Sequence, residues 1–422
     1  MKKNGFTLVE LLSIVVILGI IVVVALPQIS GSIGSKKEKQ YNKIVKIVEN
    51  AGKVYLTENG TMDSVSIDIL IKNDYLTSGL KNPINNTPLT GCVKKITSDW
   101  VTKYKYEVDN CPNYLTTYIM DLYDNEETRI ENGLKKDNTP DQNIRYYGSN
   151  PNNYVLFNNE LWRIIGVFGN NVKLVRSESL GSLSWDSSES TINGGFGINQ
   201  WGERKDTSGN IYEGADLQVY LNKMYYGGDT TITCYGSANN GTKTCPTGTI
   251  DETSKALIDS HIWNTGAVNW NDVYNSTTSS YDTVEFYKAE RGSVNGKICT
   301  SGDWCNDTVT RTTEWTGYIA LPYITDYAYA SSENDCNTKM VQSPTYKCKN
   351  NNWMQRSTWA WYLSPYAVAA GAFDVWDVNS NGSVSNGTAA NSNAVAPSIY
   401  LKSNVLIESG TGTSSNPYEL SL

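Results

Sequence analysis

The chain has 422 residues, of which 39% are hydrophobic and 18% are charged, and its formal net charge is −8. This length predicts two or three globular units, and a composition rich in Tyr, Trp, Gly, Asn, Ser and Thr excludes an intrinsically disordered chain. The negative charge argues against nucleic acid as a partner, because an acidic surface repels phosphate.

A short basic leader followed by a long apolar run opens the chain. Residues 1–5 are polar and basic, and the residues from there to Leu26 are nearly all apolar. As a helix, the run would rise roughly 30 Å, which is the thickness of the hydrocarbon core of a bilayer. Glu10 is the exception, and a carboxylate in a membrane segment by default indicates a function. We therefore predict a transmembrane helix over residues 6–27, with an amine as the partner of Glu10.

The segment Gly5-Phe6-Thr7-Leu8-Val9-Glu10 resembles the processing site of type IV prepilins and pseudopilins. The resemblance implies that prepilin peptidase cuts between Gly5 and Phe6 and that Phe6 becomes a methylated N-terminus. It also implies that Glu10 neutralises the terminal amine of a neighbouring pilin subunit during assembly. Physical chemistry agrees, because the cut leaves a cation beside an apolar helix, where Glu10 supplies the opposite charge.

The cellular location follows from the same resemblance. Lysines flank the apolar run on both sides, so charge alone does not decide its orientation. The resemblance implies a cytoplasmic N-terminus, a single membrane-spanning helix, an extracellular head and assembly into a surface filament. An ordinary secretory signal is the alternative, since Val23-Val24-Ala25 offers small residues for cleavage behind a basic start. Against it, a glutamate early in the apolar run is unusual for a secretory signal.

A stem and a small head are predicted over residues 28–120. Pro27 removes an amide donor and should kink the helix, as is common at this point in pilins. Beyond it, apolar residues from Ile44 to Tyr55 recur at helical spacing, which predicts an amphipathic helix. A short helix over 67–75 and two strands over 92–96 and 103–108 complete the predicted head.

The eight cysteines fall into four pairs of sequence neighbours: Cys92 and Cys111, Cys234 and Cys245, Cys299 and Cys305, Cys336 and Cys348. Nearest-neighbour disulfides are the prediction, because an even count behind an export signal favours disulfides, although eight cysteines allow 105 connectivities. A metal site is the rival interpretation. No spacing is Cys-x-x-Cys and His261 is the only histidine, which removes the usual zinc patterns.

A second domain is predicted over residues 141–422, behind a charged linker at 121–140. Strand patterns separated by turn dipeptides run from 153 to 175 and predict an antiparallel meander. Helical spacing predicts helices over 215–225 and 254–263. The fold class is therefore α+β.

Several segments of this domain resemble an uncharacterised module on surface proteins of Gram-positive bacteria. They are residues 154–168, 216–226, 317–327, 361–365 and 396–402. The module is distantly similar to the fold of C-type lectins and formylglycine-generating enzymes. That resemblance implies a larger, mixed α+β lectin-like domain after the small antiparallel head.

Ligand contacts in this domain are predicted at aromatic side chains near loops. Twelve Trp and 28 Tyr residues offer rings that stack on sugars or peptide side chains. Trp353, Tyr366 and Trp376 are the candidates, for an extracellular glycan or protein ligand. A calcium site is a further hypothesis, since Asp374, Asp377 and Asn379 supply closely spaced oxygen atoms.

We prefer a simpler interpretation of that acidic segment. Alternating apolar residues followed by Asn381-Gly382 are typical of a strand entering a hairpin, so no metal or other cofactor is predicted. The sequence also lacks a Gly-x-Ser-x-Gly, a phosphate loop and a dinucleotide fingerprint, and no enzyme is predicted.

These observations predict a minor type IV pilin-like subunit that displays a large binding module for adhesion or uptake. Its predicted partners are prepilin peptidase, other pilin subunits, the membrane and an extracellular ligand. A pseudopilin of a type II-like secretion system is the first alternative, and an extracellular enzyme anchored by a pilin-like stem is the second.

Overall fold

A computed structural model describes residues 33–58, 62–98, 101–109, 111–187, 197–205, 211–237, 241–277, 280–294, 297–298, 312–333, 336, 339–341, 349–367 and 373–422. The chain divides into two compact units, Met1–Thr117 and Tyr118–Leu422. The predicted leader and transmembrane helix, with Gly5, Phe6, Glu10 and Pro27, lie outside the described residues. Among the helices that are described, none has the length and apolarity needed to cross a membrane.

The first unit packs a long helix on a small antiparallel sheet. Its elements are α1 (Ile33–Glu58), β1 (Ser64–Ser66), α2 (Ile67–Lys72), β2 (Cys92–Ser98) and β3 (Val101–Glu107). The strand order is β1-β2-β3, and both pairings are antiparallel. The helix and strands agree with the predicted stem and head, although α2 ends three residues earlier than predicted.

Helix α1 contacts this sheet through the apolar stripe read from its sequence. Val48, Ala51 and Tyr55 are at most 2% exposed. At Gly52 a Cβ atom would lie 2.4 Å from the side chain of Val93 on β2, so only glycine permits this close approach. The disulfide between Cys92 and Cys111 closes the β2–β3 hairpin, with the two Cα atoms 5.8 Å apart.

The second unit contains two larger sheets and several two- or three-stranded ones. Helix α3 (Leu115–Asp124) spans the division between the units, and the elements that follow it are α4 (Glu126–Glu131), β4 (Leu134–Lys136), β5 (Ile144–Tyr146), β6 (Tyr154–Phe157), β7 (Glu160–Phe168), β8 (Asn171–Arg176), β9 (Ser182–Leu183), β10 (Arg204–Lys205), β11 (Ile211–Tyr212), α5 (Asp216–Val219, continued as a π-helix over Tyr220–Tyr226), β12 (Cys234–Ser237), β13 (Gly241–Lys243), α6 (Glu252–Leu257) and β14 (His261–Asn264).

The remaining elements are α7 (Trp270–Val273), β15 (Tyr274–Asn275), β16 (Ser280–Asp282), α8 (Thr283–Glu290), β17 (Ser293–Val294), β18 (Lys297–Ile298), β19 (Glu314–Gly317), β20 (Ile319–Ala320), α9 (Ile324–Tyr329), β21 (Lys339–Val341), β22 (Ala360–Pro365), β23 (Asp374–Val378), β24 (Val384–Thr388), β25 (Asn393–Ala394), β26 (Ser398–Tyr400), β27 (Leu406–Ser409) and β28 (Tyr418–Ser421).

The largest sheet is built around the predicted meander. Its order is β20-β26-β8-β7-β6-β28-β27, with β5 also pairing β7 and β4 pairing β5. Strands from the end of the chain thus flank the meander, since β26 pairs antiparallel with β8 and β28 pairs parallel with β6. A second sheet has the order β24-β23-β22-β25-β9. The mixed α+β class with several antiparallel sheets is confirmed.

Two predicted features differ from the structure. The segment 121–140, predicted as a linker, contains the end of α3, all of α4 and strand β4. Most of its charged residues are exposed or half-buried, but Asp137 is buried, and Leu134 is 2% exposed and pairs into the sheet. The helix predicted over 254–263 ends at Leu257, because His261–Asn264 pairs with β19 instead. The first difference arises because charged residues also occupy the exposed faces of short helices, and the second because helical spacing does not reveal pairing with a distant strand.

Candidate functional site

A polar pocket of about 350 Å³ lies in the second unit, beside the meander. Its lining includes Tyr154, Arg163, Ser177, Glu178, Trp353 and Arg356. The first four come from strands β6 and β7 and the turn after β8, and the last two come from the loop before β22. The pocket therefore joins parts of the chain that are far apart in sequence.

Arg163 is the most buried charged group of this lining. It lies in the middle of β7, opposite Tyr154 of β6 and Val175 of β8, and it is 7% exposed. Its Nε donates to the side-chain oxygen of Asn153 at 2.8 Å, and its Nη2 donates to the carbonyl oxygen of Pro151 at 3.3 Å. All of these acceptors are neutral.

Two aromatic rings flank the Arg163 guanidinium. Its central carbon lies 4.1 Å from the ring centroid of Tyr154 and 4.6 Å from that of Trp353. The indole of Trp353 is held in turn, because its Nε1 donates to the carbonyl oxygen of Tyr146 at 2.9 Å. These two cation–π contacts leave the guanidinium little freedom to move.

Arg356 is a second guanidinium of the lining and is half-buried. Its Nη1 donates to the carbonyl oxygen of Ser177 and its Nη2 to that of Arg176, each at 2.9 Å. These bonds tie the loop before β22 to the turn after β8. They also use neutral acceptors only.

Neither of these two arginines forms an ion pair with a described residue. Within the described parts of the chain, no carboxylate lies at ion-pair distance from Arg163 or Arg356. Arg176, by contrast, forms a bidentate pair with Glu160 at 2.6 and 2.9 Å. Burial, and to a smaller extent the charge of Arg356, lowers the pKa of Arg163 to about 10. Burial also lowers the pKa of Arg356. The two guanidinium groups therefore make their part of the pocket positively charged.

The three aromatic residues predicted to contact a ligand fall in different environments. Trp353 lines the pocket. Tyr366 is half-buried, with its ring 5.0 Å from that of Trp376. Trp376 needs correction, because it lies inside β23 with no exposed surface, and its Nε1 donates to the carbonyl oxygen of Val268 at 3.1 Å. It is a core residue, since β23 is a central strand and not a loop.

The segment considered for calcium forms a hairpin between β23 and β24. Gly382 adopts a positive φ of 90° in its turn, where its amide donates to the carbonyl oxygen of Asn379. Asp374 and Asp377 are three residues apart on one strand and thus lie on opposite faces. Asp374 accepts a hydrogen bond from Asn386, and Asp377 accepts one from Asn393. The two carboxylates do not converge.

The rest of the described chain offers no metal site either. There, no group of three or more His, Cys, Asp or Glu side chains is arranged to hold a metal ion. His261 lies on β14 with its ring stacked on Tyr400 at 3.7 Å, and its Nδ1 is 3.1 Å from Asp259. These contacts are those of a packed, half-buried side chain.

A buried ionic cluster was not predicted from the sequence. Asp326 accepts hydrogen bonds from Arg145 at 2.5 Å and from Lys173 at 2.6 Å, and Arg145 also pairs with Asp137 at 2.7 Å. These four side chains are at most 1% exposed. Burial alone would raise the pKa of Asp326, but the adjacent charges of Lys173 and Arg145 lower it below its usual value. The two carboxylates and the two cations neutralise one another, and the cluster is therefore structural.

The cysteines that the structure describes are all in disulfides. Cys234 pairs with Cys245, as Cys92 does with Cys111, and both are pairs of sequence neighbours. Cys336 is also disulfide-bonded. The predicted partners Cys299, Cys305 and Cys348 lie outside the described residues.

Residues 1–26 match a family model described as the prokaryotic N-terminal methylation motif. The N-terminus is therefore that of a precursor of the type IV pilin and pseudopilin class. Such a motif implies processing by prepilin peptidase and assembly with other pilins. No curated protein and no solved structure matches the chain.

Proposed function

We propose that this chain is a minor pilin-like subunit that presents its second unit as a binding module outside the cell. The observation that carries the proposal is the combination of an assembly motif at residues 1–26 with a separate compact unit over Tyr118–Leu422. A filament packs its N-terminal helices closely. A second unit larger than the pilin head on every subunit would crowd such a filament, so a low copy number is proposed.

The proposed binding module is lectin-like in architecture. Support comes from the largest sheet, where β26, which follows Pro397, pairs with β8 and β28 pairs with β6. The last strands of the second unit thus pair with its early strands and complete the largest sheet. Adhesion or uptake is the role that this arrangement favours within a surface filament.

Binding without catalysis is part of the same proposal. The sequence has one histidine, and the buried carboxylates of Asp137 and Asp326 are occupied by ion pairs. A general acid or base needs a carboxylate or imidazole within reach of a substrate proton. The lining of the pocket offers mainly guanidinium groups and hydroxyls, and its one carboxylate, that of Glu178, is exposed.

Sheared filaments from cells that express their own prepilin peptidase test the proposal. Intact mass and N-terminal sequencing should show a start at methylated Phe6. Quantitative mass spectrometry should give far fewer copies of this chain than of the main filament subunit. A start near Leu26 would indicate a secreted protein, and an uncut Met1 a simple membrane anchor. Equal copy number would contradict a minor subunit.

A further inference from the structure

We propose that the pocket between Arg163 and Arg356 binds the carboxylate of a sugar acid. The inference rests on the proposed binding role of the second unit and names the chemistry of its ligand. Two buried or half-buried guanidinium groups line the pocket, and their hydrogen bonds go only to neutral acceptors. A buried charge is costly unless it is paired, so an anion in the pocket would supply the missing partner.

The hydrogen-bond capacity of Arg163 is only partly used. A guanidinium has five N–H donors, and Nε and Nη2 of Arg163 donate to Asn153, Asn150 and Pro151. For Nη1, no acceptor lies within hydrogen-bond distance among the residues that the structure describes. Arginine is suited to planar carboxylates, and a guanidinium held by contacts with two rings binds with a smaller loss of entropy.

The rest of the lining distinguishes a sugar acid from a simple inorganic anion. Ser177, Ser179, Ser357 and Thr358 place hydroxyl groups around the pocket. Hydroxyls donate and accept, as the hydroxyls of a sugar require, whereas sulfate only accepts. A volume of about 350 Å³ also lies within the range of small-molecule sites and exceeds the needs of a single inorganic ion.

The charge of Glu178 distinguishes an anionic ligand from a cationic one. It is an exposed carboxylate of the lining, and its charge partly offsets the burial that lowers the pKa of Arg356. It forms no ion pair with a described residue. If the ligand is anionic, Glu178 repels it, and removal of this charge should strengthen binding. If the ligand is cationic, the same change should weaken binding.

Titration calorimetry on the full chain in detergent tests the proposal, with glucuronate as the probe and glucose and sulfate as controls. Glucuronate should bind, and glucose and sulfate should bind at least about tenfold more weakly, because each lacks half of the recognised groups. Arg163→Gln should weaken glucuronate binding by about tenfold or more. Arg129→Gln, which removes a cation stacked on Tyr123 outside the pocket, should leave binding unchanged.

The exposed variant Glu178→Gln keeps the test decisive if Arg163→Gln does not fold. It should tighten glucuronate binding a few-fold at low salt. Equal binding of glucose, equal binding of sulfate, no binding of glucuronate, or weaker binding by Glu178→Gln would each overturn the inference. None of these results depends on the start at Phe6 or on the copy number in filaments. Failure of this inference and failure of the proposed function can therefore be told apart.

Discussion

Asp326 is the carboxylate that Arg145 and Lys173 share in the buried ionic cluster. In the sequence it is a carboxylate in an aromatic segment with no recognisable partner. In the structure it accepts hydrogen bonds from Arg145 and Lys173 and from the backbone amide of Tyr323, at the start of α9. It therefore links β5, β8 and α9 through charge.

Asp326→Asn should destabilise the second unit by about 3–5 kcal/mol, because it leaves two buried cations short of an anion. Chemical denaturation of the full chain, followed by tryptophan fluorescence, measures this change. The double variant Asp326→Asn with Lys173→Met removes one cation as well and should recover part of the loss.

Glu252→Gln is the matched control for that prediction. Glu252 pairs with Lys255 in an exposed ion pair, with its side chain 88% exposed. Exposed pairs contribute little, because water screens them. A loss of stability in Asp326→Asn no larger than in Glu252→Gln would contradict the structural role of the buried cluster.

The environments of two tryptophans also depend on neighbours that are distant in sequence. The sequence predicts both Trp353 and Trp376 near loops, yet Trp353 lines a pocket and Trp376 has no exposed surface. Local sequence gives each ring the same preference for a partly buried surface. Only the neighbours brought by distant strands separate the two outcomes.

Secondary-structure elements were predictable where their signal is local. Strands β6 and β7 are joined by Asn158 and Asn159, with φ values of 55° and 57°, which is the two-residue hairpin turn that an Asn-Asn pair favours. The short β14 was missed, since its partner β19 is about 50 residues away. Its residues fit a helical pattern as well as a strand.

The Cys92–Cys111 disulfide stabilises the hairpin of the first unit. Replacing both cysteines by serine should reduce the stability of that unit by about 3 kcal/mol, because a loop with a sequence separation of 19 is no longer closed in the unfolded chain. Hydrogen exchange read by mass spectrometry, which resolves the two units, measures the loss.

The corresponding double variant at Cys234 and Cys245 is the control for location. It should increase exchange in the second unit around β12 and β13 and leave α1 to β3 unchanged. If the first pair of substitutions left the exchange of β2 and β3 unaltered, the stabilising role of Cys92–Cys111 would be refuted.

At the scale of the whole second unit, buried carboxyl groups predict a dependence of stability on pH. Burial raises the pKa of Glu290 from 4.5 to about 7 and that of Asp377 from 3.8 to about 7. Each group binds more protons in the folded than in the unfolded chain within this window. Folding stability therefore falls as pH rises.

The free energy of unfolding should fall by on the order of 1–3 kcal/mol between pH 5 and pH 6.5. Above that range Lys135 opposes the trend, because burial lowers its pKa to about 7. Melting temperatures of wild type and of the variants Glu290→Gln and Asp377→Asn measure the slope. Each variant should flatten it, and a wild-type stability that rises over this window would contradict the prediction.

The sequence by itself determined the features that contiguous residues encode. These are the methylation motif at 1–26, the amphipathic stripe of α1, the meander with its turns and two disulfides between sequence neighbours. Each depends on spacing or on turn chemistry within a short stretch of chain.

Only the tertiary structure decided which side chains meet. Arg356 reaches Ser177 across 179 residues of sequence, and Lys173 reaches Asp326 across 153. Such contacts form because β26 and β28 return to pair with β8 and β6, and no local periodicity specifies that pairing. The arginine pocket and the buried ionic cluster are therefore products of the fold.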